Sequence, residues 1–125
     1  MSKSKTLLLH ATPSAVRQAR VFTAINLRRW GAIGFIEDAL LIVSELVTNA
    51  VNASTDRDEV SVWVATDGVS VHIEVRDRAP GIPLVFDPAL DHETGRGMFV
   101  VATLSKEWGC SPAASGGKFV WAKLA

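Results

Sequence analysis

Apolar residues recur at three- and four-residue steps through Ile36, Ala39, Leu40, Val43, Leu46, Val47, Ala50 and Val51. That is one face of a 3.6-residue period, and it predicts a buried helix over 36–53. A weaker repeat precedes it: Val16, Ala19, Phe22 or Thr23, Asn26 or Leu27, and Trp30. This predicts a first helix that starts at Thr12-Pro13-Ser14, with a hydroxyl cap and a proline in the first turn. Gly31 stops it, and Gly34 adds a second breaker. Arg17, Gln18, Arg20, Arg28 and Arg29 fall largely on the other side of this helix. They form either a solvated face or a surface for an acidic partner.

The period then changes to two. Val60, Val62 and Val64 alternate with polar positions, as do Val69, Val71, Ile73 and Val75, and Asp67-Gly68 between the runs reads as a tight hairpin turn. His72 falls on the exposed face of this pair, with no catalytic role assigned. A short apolar run over 6–10 predicts a first strand after a polar start, with residues 1–5 expected to be frayed. The stretch 77–95 is rich in proline, glycine and acids, and reads as either a ligand lid or a surface excursion. Gly97 is expected to open a third helix, with Met98, Val101, Ala102 and Leu104 inward. Strands over 106–111 and 118–124 close the chain across Gly116-Gly117, with Trp108, Phe119 and Trp121 as core or sheet-face aromatics. The order implies an α+β fold of two layers, with helices on one face of a mostly antiparallel mixed sheet.

At 125 residues the chain is expected to form one domain. Its 48% apolar and 21% charged residues suit a globular fold. Lys plus Arg and Asp plus Glu number 13 each, so no basic excess favours direct nucleic-acid or membrane-surface binding. The single Cys110 forms no internal disulfide, which suits a reducing, cytoplasmic setting. Leu7 to Leu9 is too short for a signal-peptide core, and no stretch is long enough to span a membrane.

Candidate chemistry is concentrated in three places. Glu45 and Asn49 lie one helical turn apart, flanked by Ser44, Thr48 and Asn52. They read as a solvated stripe, as a mutually hydrogen-bonded pair, or as a site where Asn supplies oxygen to a hard cation and Glu activates a hydroxyl. Asp77 ends a strand just before Pro80-Gly81, where its carboxylate could accept a hydrogen bond from an exocyclic amine. Gly95-Arg96-Gly97 ends the loop at a helix start, where free amides and a guanidinium suit phosphate.

Glu45-Leu-Val-Thr-Asn49-Ala50, Glu74-Val-Arg-Asp77 with Pro80, Gly95-Arg-Gly97-Met and Gly116-Gly-Lys-Phe-Val-Trp121 together resemble the histidine-kinase-like ATPase (GHKL, Bergerat) domain. The likeness runs from Leu8 onward, and is greatest to stand-alone actinobacterial members related to anti-sigma-factor serine/threonine kinases. It implies a Bergerat ATP-binding fold with ATP and Mg²⁺ as cofactors. Asn49 would ligate Mg²⁺ and Glu45 would act as general base. Asp77 would accept from the adenine amine, Gly81 would shape the adenine loop, and Gly95, Arg96 and Gly97 would hold the phosphates. The implied partners are an anti-sigma-factor antagonist, phosphorylated on Ser or Thr, and a sigma factor that is sequestered. Homodimerisation, as in relatives, is left open.

The chain departs from the family pattern at named positions. Ala79 stands where the adenine loop carries its first glycine, Ala53 stands where relatives often carry His, and the stretch between Gly81 and Gly95 is short for a lid. A sensor histidine kinase is not expected, because this sequence shows no helical hairpin with a phospho-accepting His ahead of the motifs. The alternatives are therefore an active kinase, a non-catalytic regulatory binding module of the same fold, and a structural domain with a vestigial pocket.

Overall fold

The computed structural model describes residues 2–78, 95–113 and 116–125. Along the chain come β1 (Lys3–His10), α1 (Ser14–Arg29), a 3-10 turn (Ile33–Phe35), α2 (Ile36–Asn52), β2 (Glu59–Thr66) and β3 (Val71–Asp77). They are followed by α3 (Gly95–Leu104), β4 (Glu107–Pro112) and β5 (Lys118–Leu124). The strands form one sheet in the order β1-β2-β3-β5-β4. Every pairing among the described strands is antiparallel, so the mostly antiparallel sheet expected is antiparallel throughout. After β3 the chain crosses through α3 to the edge strand β4, and β5 then returns between β4 and β3.

Alternation decides which face of the sheet is covered. Val60, Val62 and Val64 of β2, Val71, Ile73 and Val75 of β3, and Val120, Ala122 and Leu124 of β5 all point inward and are buried. Against them lies α2, which buries Ala39, Ile42, Val43, Leu46, Val47 and Ala50. Glu37 and Asp38 in its first turn complement the helix dipole. This helix is the middle of the helical layer, packing on α1, α3 and β3.

The other sheet face carries Trp63, His72, Glu74, Arg76, Phe119 and Trp121, alternating with the buried set. Arg76 sits 4.9 Å from the centre of the Phe119 ring. Trp121 lies across Gly109, where an added Cβ would come within 2.7 Å of the indole. His72 is on this face, as its alternation predicts.

Three boundaries differ from the sequence reading: those of β1 and α3, and that of β3, which starts at Val71 and leaves Val69 outside it at 77% exposure. β1 starts at Lys3, and Lys3, Ser4 and Lys5 pair with Thr66, Ala65 and Val64. Ladder hydrogen bonds hold this polar edge, where hydropathy carries no signal, and lysines suit an edge strand. α3 starts at Gly95, so Gly95-Arg96-Gly97 is its first turn and not its approach. The end of α1 agrees with the sequence reading: Gly31 takes a φ of 77°, and the Ala32 amide closes back on the Leu27 carbonyl at 2.8 Å, a glycine-dependent C-terminal motif.

The arginine face of α1 is divided. Arg17, Arg28 and Arg29 are exposed. Arg20 instead reaches α2, donating to the Leu40 carbonyl and to the Ser44 hydroxyl. It clasps the two helices together and is not part of a free surface. Among the described residues, no helix is long and apolar enough to cross a membrane.

Candidate functional site

Asp77 closes β3, and period two puts it on the same face as Val71, Ile73 and Val75. It is therefore buried, at 1% exposure. Directly opposite in the ladder is Lys118, the first residue of β5. Its position alternates with Val120, Ala122 and Leu124, so it too points inward, at 6% exposure. Lysine and aspartate are almost never buried this far unless paired. Lys118 Nζ donates to Asp77 Oδ1 at 3.0 Å.

Gly117 sets the spacing of this pair. Its φ is 80°, and an added Cβ would lie 2.0 Å from the Asp77 carbonyl oxygen and 2.6 Å from the Arg78 Cα. Only glycine lets β5 begin this close to the end of β3. Cys110, on β4, shares the neighbourhood. Burial pushes its thiol above the ordinary value, the Lys118 charge opposes that shift, and the Asp77 charge adds to it.

Glu45 and Asn49 sit one turn apart on α2, beside the buried positions Leu46 and Ala50, and both are half-buried. Among the described residues, neither side chain has a hydrogen-bond or ion-pair partner. The mutual hydrogen bond that the sequence allowed is not formed. Ser44, which flanks them, is committed elsewhere, donating to the Leu40 carbonyl at 2.7 Å and receiving Arg20.

The site residues expected from the sequence are thus distributed over three neighbouring elements. Glu45 and Asn49 are on α2. Asp77 ends β3, which α2 packs against, and Gly95, Arg96 and Gly97 form the first turn of α3, which also packs on α2. Gly81 lies outside the described residues, as do Ala79 and Pro80. The sequence reading passed over Lys118, Gly117 and Cys110 as site residues. The available signal was Lys118 itself, a lysine in the inward register of an otherwise apolar strand.

This arrangement is a two-layer α+β domain with a buried acidic strand end, an Asn/Glu helix and a glycine-opened helix around one central helix. Residues 9–123 match the model of the histidine kinase-like ATPase domain, and the chain belongs to that family. A comparison with curated proteins finds none that matches. Among solved structures, the chain is similar to the crystal structure of the RsbU and RsbW domains of Rv1364c from Mycobacterium tuberculosis. That likeness has a TM-score of 0.63 at 26% identity and covers 98% of this chain. It takes in 32% of the other chain, so the present chain spans about a third of that solved chain's length.

Proposed function

We propose that this chain binds Mg-ATP and transfers the γ-phosphoryl group to a serine or threonine of an anti-sigma-factor antagonist, and that it sequesters a sigma factor in alternation with that reaction. The observation that carries the reading is the buried Asp77 carboxylate, held at a strand end beside the Asn/Glu helix. A buried carboxylate acceptor in this place suits the exocyclic amine of adenine. Family membership supports ATP as the nucleotide, and the similarity to a structure containing an RsbW domain supports an anti-sigma role.

The donor set fits the metal as well. Mg²⁺ keeps several waters and takes few protein ligands, relying on substrate phosphates for the rest. Asn49, half-buried and without a side-chain partner among the described residues, offers one such oxygen. Bound there, the cation would neutralise triphosphate charge. Glu45, one turn earlier, accepts the proton of the incoming hydroxyl and makes its oxygen a better nucleophile toward the γ-phosphorus. The opening turn of α3 supplies backbone amides to phosphate. Phosphoryl transfer depends mainly on positioning and charge neutralisation, so a small residue set suffices.

A second reading is a regulatory binding module without catalysis. It is favoured by Ala79, which stands where the family's adenine loop carries its first glycine. Incubation with radiolabelled Mg-ATP and a candidate antagonist separates the two. The kinase reading expects labelled phosphoserine or phosphothreonine, lost in Glu45→Ala while nucleotide binding persists. Full-rate transfer by Glu45→Ala would remove Glu45 from the mechanism. Tight partner binding that ignores nucleotide, with no transfer, would establish the module.

A further inference from the structure

We propose that Lys118 is a nucleobase-binding residue, donating to the ring nitrogen next to the adenine amine while Asp77 accepts from the amine itself. This rests on the ATP-site reading above and assigns that site a second base-contacting side chain. An ammonium carries three N–H donors, and one goes to Asp77 Oδ1 at 3.0 Å. Among the described residues the other two have no hydrogen-bond partner, although Lys118 is 6% exposed. Buried donors left unmet cost stability, and more so when charged. A charged pair held inside an apolar strand register therefore calls for an acceptor from outside the described chain.

The geometry names the kind of acceptor. Asp77 and Lys118 are opposed in the ladder, and Gly117 holds the two strands so close that a Cβ would strike the Asp77 backbone. The pair is thus a fixed acceptor beside a fixed donor. The base-pairing edge of adenine presents the complement, an amine donor beside a ring-nitrogen acceptor, and proteins read unpaired bases along that edge. A hydrogen bond from an ammonium is charge-assisted and stronger than a neutral one. The surrounding apolar residues, Val75 and Val120 at 1% and 7% exposure, limit competing water.

The test is calorimetric titration of the full chain with Mg-ATP and with Mg-1-deaza-ATP, which replaces that ring nitrogen by C–H. The wild type is expected to bind the deaza analogue about ten- to a hundredfold more weakly, the loss of one charge-assisted hydrogen bond. Lys118→Met is expected to bind ATP more weakly and to treat the two nucleotides alike, while Lys118→Arg restores part of the preference. The two nucleotides compared on wild-type protein decide the matter even if Lys118→Met does not fold. Equal binding of ATP and 1-deaza-ATP by the wild type overturns the Lys118 assignment and leaves the ATP site standing. Binding of neither overturns both.

Discussion

Lys118 and Asp77 face each other across the β3–β5 ladder, and the Lys118 ammonium donates to Asp77 Oδ1 at 3.0 Å with both side chains buried. Removing one partner of such a pair strands a buried charge. Lys118→Met is therefore expected to cost about 3 kcal/mol or more in unfolding free energy. Lys118→Met combined with Asp77→Asn is expected to cost less than the sum of the two single changes, because the neutral pair strands nothing. Urea unfolding of the four proteins measures the coupling, and strict additivity would mean the pair is not one unit.

Gly117→Ala is expected to disturb the same place through the backbone. A left-handed alanine costs about 1–2 kcal/mol by itself, and the new Cβ would sit 2.0 Å from the Asp77 carbonyl oxygen. The variant should lose more than about 2 kcal/mol and bind nucleotide less tightly, since the end of β3 must move. Gly34→Ala, where an added Cβ meets nothing within 4 Å, should stay within about 0.5 kcal/mol of wild type. Thermal denaturation of the two variants side by side gives the contrast.

Arg20 and Arg17 look alike in sequence and differ in the fold. Arg20→Ala removes two guanidinium hydrogen bonds to α2 and should cost about 1–3 kcal/mol. Arg17 is exposed, so Arg17→Ala should leave stability within about 0.5 kcal/mol of wild type. Equal losses in the two variants would contradict the clasp.

The β2–β3 turn gives the fold an acid-sensitive point. Asp67 Oδ1 accepts from the Ser70 amide at 2.7 Å and the Val69 amide at 2.8 Å. These bonds, Ser70's first, hold the exposed carboxyl down at about 2, from an ordinary 3.8. A depressed carboxyl stabilises the fold only when ionised. Its contribution is thus complete above about pH 4 and is lost as pH falls toward about 2. Asp67→Asn should flatten that part of the stability–pH curve, as read by unfolding at a series of pH values.

Much of this was legible in the chain. The apolar stripe of α2 and the alternating valines of β2 and β3 are local signals, and these elements formed where their periods placed them, apart from Val69, which the turn leaves outside β3. The Asn/Glu turn fell on a helix for the same reason, whereas α3 begins at Gly95, two residues before the Gly97 expected to open it. What stayed hidden depends on pairing between distant segments. Lys118 gains its meaning only because β5 inserts beside β3, 41 positions away from its partner Asp77. Arg20 joins α2 only once the helices cross, and the start of β1 at Lys3 comes from ladder bonds that leave no trace in hydropathy.

The account stands most directly on nucleotide binding, measured by calorimetric titration of the purified chain with Mg-ATP beside Asn49→Ala. The prediction is saturable binding by the wild type that weakens at least tenfold, about 1.4 kcal/mol, when Asn49 is replaced. No binding by the wild type at millimolar Mg-ATP, or equal binding by the two proteins, would contradict a metal–nucleotide site on α2.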